Sequence, residues 1–130
     1  METMNTTPEI DATLAKPLHA VLGFNRPGRP PQLSVVWFEW DGRTFRFSTL
    51  RSRAKYRLFT KDPQVSILVN DPDALRYVVA NGVAHEENGH AELSRRLFAR
   101  YQPGQDPGDR PIDPDRVVLA LTPDSITSGS

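Results

Sequence analysis

The chain has 130 residues, with 16 Lys and Arg, 16 Asp and Glu and no cysteine, so its formal net charge is zero. This length fits a single domain over 1–130, and the lack of cysteine excludes disulfides and thiolate metal sites. The balanced charge attracts neither nucleic acid nor an anionic membrane, and no run of 18 apolar residues predicts a membrane span. We therefore expect a cytoplasmic protein without metal, nucleic acid or membrane partners, loosely ordered over 1–7 and 122–130.

The first third of the chain predicts a short helix, a turn and two strands. A helix is predicted over 8–15 with Thr7 as its N-cap, and apolar residues predict a strand over 19–24. The pair Pro27-Gly28 suits the centre of a type II turn, because proline fixes a negative φ and glycine accepts a positive one. The run 31–40 is rich in β-branched and aromatic residues, so it predicts one long strand.

A hairpin is predicted next, around Asp41-Gly42, because both residues tolerate positive φ in a two-residue turn. In the following strand, 43–49, Phe45 and Phe47 alternate with three polar residues. These are Thr44, Arg46 and Ser48. This alternation predicts a strand with one buried face and one wet face.

The second half predicts two helices among three further strands. A helix over 52–60 is expected to have Ser52 as its N-cap, to turn Ala54, Leu58 and Phe59 inward and to end before Pro63. Buried strand 65–69 is followed by strand 75–84 with a β-bulge at Gly82, helix 90–101 and a last strand, 116–121. Six strands with few helical crossovers predict a mainly β fold, a small antiparallel barrel.

Positive charge is concentrated where the predicted hairpin meets the predicted helix. Seven of the sixteen Lys and Arg residues lie within the nineteen positions 43–61, with no Asp or Glu before Lys61. Cations in the first turn of a helix cost roughly 0.3–1 kcal/mol each, because that end already carries partial positive charge. A bound anion would reverse this cost, and helix N–H groups, hydroxyls and cations together suit a phosphate. We predict an anion site here; a solvated charged face is the alternative.

The strand 31–40 is the candidate for binding a flat ring of the same ligand, through its backbone N–H and C=O groups and the side chains of Ser34, Val36 and Trp37. Core packing is the alternative for its large aromatic residues. The three histidines match no metal-site spacing, and neither a nucleophile elbow nor a glycine-rich phosphate loop is present. The chemistry is therefore expected to reside in a bound cofactor.

The region 18–85 resembles the flavin-binding split-barrel proteins related to pyridoxamine 5′-phosphate oxidase, and most of all the actinobacterial branch that uses the deazaflavin coenzyme F420. The matching motifs are, in order, 28–30, Val36-Trp37-Phe38, Asp41-Gly42, Ser48-Thr49, Arg53-Ala54-Lys55, Asp62-Pro63, 65–69 and 77–82. The resemblance implies a six-stranded antiparallel split β-barrel, which forms a homodimer with the cofactor at the subunit interface.

The resemblance also implies the roles of the site residues. Those expected to hold the cofactor phosphate are Thr49, Arg53 and Lys55, assisted by Ser48, Arg51 and Ser52. Those expected to line the ring are Ser34, Val35, Val36 and Trp37. The implied protein is an F420H2-dependent oxidoreductase acting on an unsaturated small molecule, with an FMN-dependent oxidase-like enzyme or a non-catalytic binding protein as alternatives. No catalytic side chain is assigned, and Leu58 replaces an amide of the family pattern that could contact the cofactor.

Overall fold

The structure is a computed structural model, which describes residues 6–105 and 113–130. The described residues form three helices: α1 (Pro8–Leu14), α2 (Ala54–Lys61) and α3 (His90–Tyr101). They also form eight strands: β1 (Ala20–Arg26), β2 (Arg29–Val36), β3 (Glu39–Trp40), β4 (Phe45–Leu50), β5 (Gln64–Asp71), β6 (Arg76–Glu87), β7 (Arg116–Leu121) and β8 (Ser125–Gly129). The predicted mainly β class is confirmed. None of the described helices is long and apolar enough to cross a membrane.

All strand pairs are antiparallel, in the order β2-β1-β5-β6-β7-β4-β3, and β8 adds to β6. The two outermost strands of this order, β2 and β3, are consecutive in the chain and are separated only by Trp37 and Phe38. The sheet therefore has to curve until its two ends meet at this two-residue connection, which we call the step, as in a barrel. β6 belongs to both halves, because it pairs with β5 over 76–83 and with β7 over 84–87.

The core lies inside this curved sheet and is built from alternate strand residues. Phe24, Phe45, Phe47 and Ile67 are fully or almost fully buried, and Phe38 fills the step between β2 and β3. Burial of each of these side chains contributes roughly 1.5–3 kcal/mol. A second, smaller cluster lies beneath α3 and consists of Leu93, Leu97 and Val118, with Trp37 and Tyr101 packed against it.

The prediction of one continuous strand over 31–40 is wrong, because the strand is interrupted at Trp37 and Phe38. The backbone N–H of Phe38 donates to the hydroxyl of Tyr101 (3.1 Å), and that hydroxyl donates to the carbonyl of Leu18 (2.7 Å). A side chain of α3 thus replaces the ladder partner of a strand residue. The step where the barrel closes is therefore fixed from outside the sheet.

The hairpin after β3 is confirmed, but its connection is longer than the predicted two residues. The loop runs from Asp41 to Thr44, and Asp41 Oδ1 accepts from the backbone N–H groups of Arg43 (2.9 Å) and Thr44 (2.7 Å). The side chain therefore closes the turn. Thr44 was expected on the wet face, but it is buried and its hydroxyl bonds to that of Thr122 (2.8 Å).

The start of α2 also differs from the prediction. The N-cap is Arg53 rather than Ser52, and it makes no side-chain capping hydrogen bond. The backbone N–H of Ser52 is instead engaged by the carboxylate of Asp115 (3.2 Å), which anchors this residue outside the helix. Ala54 is exposed, so the inward side of the helix is formed by Phe59, which is buried, and by the half-buried Leu58.

Three expectations about the later strands are wrong. β5 is buried on one face only, because its alternate residues, among them Ser66 and Leu68, are exposed. Gly82 forms no β-bulge: the β5–β6 pairing runs through it without a shift, and a Cβ there would lie 2.9 Å from the carbonyl oxygen of Thr122. The strand 116–121 is not the last, because β8 follows it. β8 covers the edge of β6 over 77–81, which β7 leaves unpaired.

Candidate functional site

The predicted anion site lies where β4 ends, where α2 begins and where β7 starts. β4 and β7 pair so that Leu50 is opposite Arg116, which brings this arginine beside the end of β4. Arg116 Nη1 donates to Ser48 Oγ (3.0 Å). Sequence reasoning missed Arg116, because only the β4–β7 pairing brings it to Ser48, which lies 68 residues earlier in the chain.

Three cations form the positive side of the site, and we call Arg53, Lys55 and Arg116 the cationic cluster. The side chain of Lys55 is half-buried, and this burial, followed by the positive charges of Arg53 and Arg116, lowers the pKa of its ammonium group. Among the described residues, no carboxylate lies within salt-bridge distance of any of the three. Within the described residues, the cluster is therefore a concentration of positive charge without a carboxylate at salt-bridge distance, which favours an anionic ligand.

Thr49, another predicted phosphate contact, has a hydroxyl that is buried on β4 and unsatisfied among the described residues. Its side chain is buried, with a 2% exposed fraction, and its Oγ1 has no hydrogen-bond partner within the described part of the chain. An unsatisfied buried hydroxyl costs roughly 1–3 kcal/mol. Thr49 projects from the same face of β4 as the buried Phe45 and Phe47, whereas Ser48 projects from the opposite face. The fit to a phosphate group therefore rests on the Ser48 hydroxyl and the cationic cluster.

Two other predicted phosphate contacts already have protein partners. The guanidinium of Arg51 pairs with the carboxylate of Glu86 (3.1 Å) and lies 5.9 Å from the ring centre of Tyr56. The backbone N–H of Ser52 donates to Asp115, as described above. The direct part of Arg51 and Ser52 in phosphate binding stays a prediction.

The predicted ring-binding residues lie on β2 and at the step that follows it. Ser34 Oγ donates to Gln32 Oε1 (3.1 Å), and Val36 is buried, so that only its backbone can face a ligand. The indole of Trp37 stacks on the ring of Tyr101, with 4.8 Å between ring centres and 2° between planes. Within the described residues, no hydrogen bond or ion pair joins this strand to the cationic cluster. The ring assignment stays a prediction.

The outer face of the sheet carries apolar side chains close to the predicted ring strand. Val35 is paired with Val21, Val21 with Leu68, and Leu68 with Val79. Directly paired residues in a sheet project from the same face, so these four form a row across β2, β1, β5 and β6. Val35 has an exposed fraction of 66%. We call this set the outer apolar row.

Comparison with known proteins gives consistent matches along most of the chain. Residues 6–128 match the model of the pyridoxamine 5′-phosphate oxidase family. Among solved structures, an F420 reductase is 32% identical, with a TM-score of 0.78, and the match covers 90% of this chain and 94% of that one. A conserved hypothetical protein, Rv2991 from Mycobacterium tuberculosis, is 24% identical, with a TM-score of 0.79 and coverages of 95% and 84%. A candidate pyridoxamine 5′-phosphate oxidase from Listeria innocua is 21% identical, with a TM-score of 0.73 and coverages of 92% and 94%.

Proposed function

Because the chain belongs to the pyridoxamine 5′-phosphate oxidase family, we propose that it is an F420H2-dependent reductase that transfers a hydride from the reduced deazaflavin to an unsaturated small molecule. The family match and the related structures support a flavin-type cofactor and oxidoreductase chemistry. The choice of F420 is supported by the 32% identity to an F420 reductase along 90% of the chain. The observation that carries the proposal is the cationic cluster, which lacks a described carboxylate partner and lies where the resemblance predicts the cofactor phosphate.

The proposed phosphate contacts follow from the donors present. Lys55 and Arg53 neutralise the phosphate charge, and a contact of Thr49 with the phosphate stays a prediction, because its hydroxyl is buried on the core-facing side of β4. Ser48 Oγ already accepts from Arg116, so its own proton is free to be donated to a phosphate oxygen. Arg116 thus contributes in two ways, through its charge and through the orientation of the Ser48 hydroxyl.

The proposed ring contacts come mainly from the backbone of β2 and from Trp37. The stacking of Trp37 on Tyr101 holds the indole in one orientation, and the Tyr101 hydroxyl ties Phe38, within the step, to Leu18, just before β1. When bound, the reduced deazaflavin supplies the hydride, and a proton completes the two-electron reduction of the substrate. Orientation of cofactor and substrate by these rigid groups is expected to provide much of the rate, and no side chain is assigned as an acid or a base.

We further propose that the protein is a homodimer, packed through the outer apolar row. A contiguous exposed apolar surface marks an interaction site, and a second copy presents the same row across a twofold axis. The ring strand β2 carries part of this row, so the cofactor ring would lie at the subunit boundary. Val35→Asp is expected to convert the dimer into a monomer in sedimentation velocity, whereas Ala99→Asp, on an exposed position of α3, leaves the dimer intact. A wild-type protein that sediments as a monomer would contradict the proposal.

The proposed activity is tested by titrating the purified protein with F420 and with FMN, followed by assays of F420H2 oxidation with unsaturated acceptors. We expect tighter binding of F420 and acceptor-dependent oxidation of F420H2. Tighter binding of FMN, and a protein that is yellow as purified, would favour the FMN-dependent alternative. Binding of F420 without turnover of any acceptor would favour a binding protein. Failure to bind either cofactor would reject the proposal.

A further inference from the structure

A carboxylate already lies within the proposed phosphate site. Asp115 Oδ2 accepts from the backbone N–H of Ser52 (3.2 Å), and the backbone carbonyl of Asp115 accepts from the N–H of Arg51 (3.1 Å). Asp115 directly precedes Arg116, a member of the cationic cluster, and is half-buried. No Lys or Arg among the described residues lies within salt-bridge distance of its carboxylate. Its negative charge is therefore part of the field that an incoming phosphate meets.

This charge acts differently on the two classes of phosphate that flavin-type cofactors carry. The phosphate of F420 is a diester with a single negative charge, whereas the terminal phosphate of FMN is a monoester with a charge of about −1.5 to −2 at neutral pH. Coulomb repulsion grows in proportion to the ligand charge, so a fixed carboxylate disfavours the monoester more than the diester. Asp115 also occupies the backbone N–H of Ser52, and the loss of this donor affects both ligands equally.

Building on the proposed function, we propose that Asp115 is a specificity-determining residue, which makes the site prefer a phosphodiester to a phosphomonoester. A purely structural role, in which Asp115 only fixes the loop before α2, is the competing explanation. The substitution Asp115→Asn separates the two, because the amide oxygen can still accept from the Ser52 N–H while the charge is lost. A structural role then predicts no change in cofactor preference.

The test is a fluorescence titration of the wild-type protein and of Asp115→Asn with F420, FMN and riboflavin, which has no phosphate. We expect the affinity for F420 to rise roughly threefold and that for FMN roughly tenfold, because the screened repulsion scales with the charge on the phosphate. The affinity for riboflavin should be unchanged. Asp73→Asn removes the same charge from an exposed turn and should alter none of these affinities.

The possible outcomes separate the inference from the function on which it rests. A larger gain for FMN than for F420 supports the role of Asp115. Equal gains, or no gain, by a wild-type protein that binds F420 would overturn this role and leave the cofactor assignment intact. If the wild-type protein binds neither F420 nor FMN, the proposed function fails, and the inference fails with it. Melting curves of the variants verify that each one is folded.

Discussion

Replacement of Lys55 by Met should change stability and cofactor binding in opposite directions. The methionine side chain preserves most of the apolar stem and removes the ammonium group. Burial and the charges of Arg53 and Arg116 lower the pKa of Lys55, so the folded protein disfavours its charged form. Because the side chain is only half-buried and its interactions are partly screened, we expect Lys55→Met to leave the free energy of unfolding unchanged or to raise it by up to about 1 kcal/mol.

The same substitution should weaken cofactor binding strongly. A hydrogen bond to a charged group contributes about 1.5–3 kcal/mol, which corresponds to a loss of affinity of roughly 10- to 100-fold. Lys61→Met is the matched control, since it removes the same group from the opposite end of α2, where Lys61 is exposed. This control should bind the cofactor as the wild-type protein does. Fluorescence titration with F420 measures both affinities.

Lys55 also predicts how stability depends on pH. In the unfolded chain its amine keeps the proton up to its ordinary pKa of 10.5, whereas the folded protein releases the proton at a lower pH. Between the two values the unfolded state binds more protons, so the contribution of Lys55 to stability rises with pH in this window. Urea unfolding of the cofactor-free protein at a series of alkaline pH values should show a rise that Lys55→Met lacks. A variant that loses more than about 1 kcal/mol of stability while it binds the cofactor normally would refute this reasoning.

Two further substitutions test other contacts of the structure. Thr49→Val removes a buried hydroxyl without a described partner, so melting curves should show a cofactor-free protein as stable as wild type or about 1 kcal/mol more stable. Titration should show weaker cofactor binding. A clear loss of stability would indicate that the hydroxyl is satisfied in the free protein. Gly82→Ala should lower the free energy of unfolding in urea by about 1–3 kcal/mol, because its Cβ would lie 2.9 Å from the carbonyl oxygen of Thr122. Gly23→Ala is the control and should be neutral or stabilising, because its nearest contact would be 3.6 Å away. Similar results for both glycines would contradict the steric role of Gly82.

The elements that the sequence predicted correctly are those determined by neighbouring residues. Thr7 caps α1 through a hydrogen bond from the N–H of Ile10 (3.2 Å), and Gly28 has the positive φ that the predicted turn requires. The alternation of Phe45 and Phe47 with polar residues likewise predicted the buried face of β4 correctly. In each case the signal and the structure lie within a few residues of one another.

The errors arose where a distant residue supplies the partner. The interruption at Phe38 depends on Tyr101, 63 residues later in the chain, and the conformation of Ser52 depends on Asp115, also 63 residues away. The candidate site was likewise predicted only in the part that is local in sequence. The cations of 51–57 were visible as one segment, but Arg116 reaches the site only through the β4–β7 pairing, which no local pattern reveals.

The cationic cluster points to a ligand because three cations lie together there without a described carboxylate partner, whereas two other arginines of the barrel are paired with carboxylates. Arg46 is paired with Asp41 (2.7 Å) and Glu87 (2.8 Å), and Arg96 makes two hydrogen bonds to the carboxylate of Glu39 (2.8 and 2.9 Å). The chain therefore supplies carboxylates to the half-buried Arg46 and to the exposed Arg96 elsewhere on the same barrel. Burial and, after it, the repulsion by Arg53 and Arg116 lower the pKa of Lys55, and a bound phosphate would offset that repulsion while it forms its own contacts. Binding should then stabilise the fold by an amount that rises with the logarithm of the cofactor concentration above Kd, as expected for a ligand that binds only the native state.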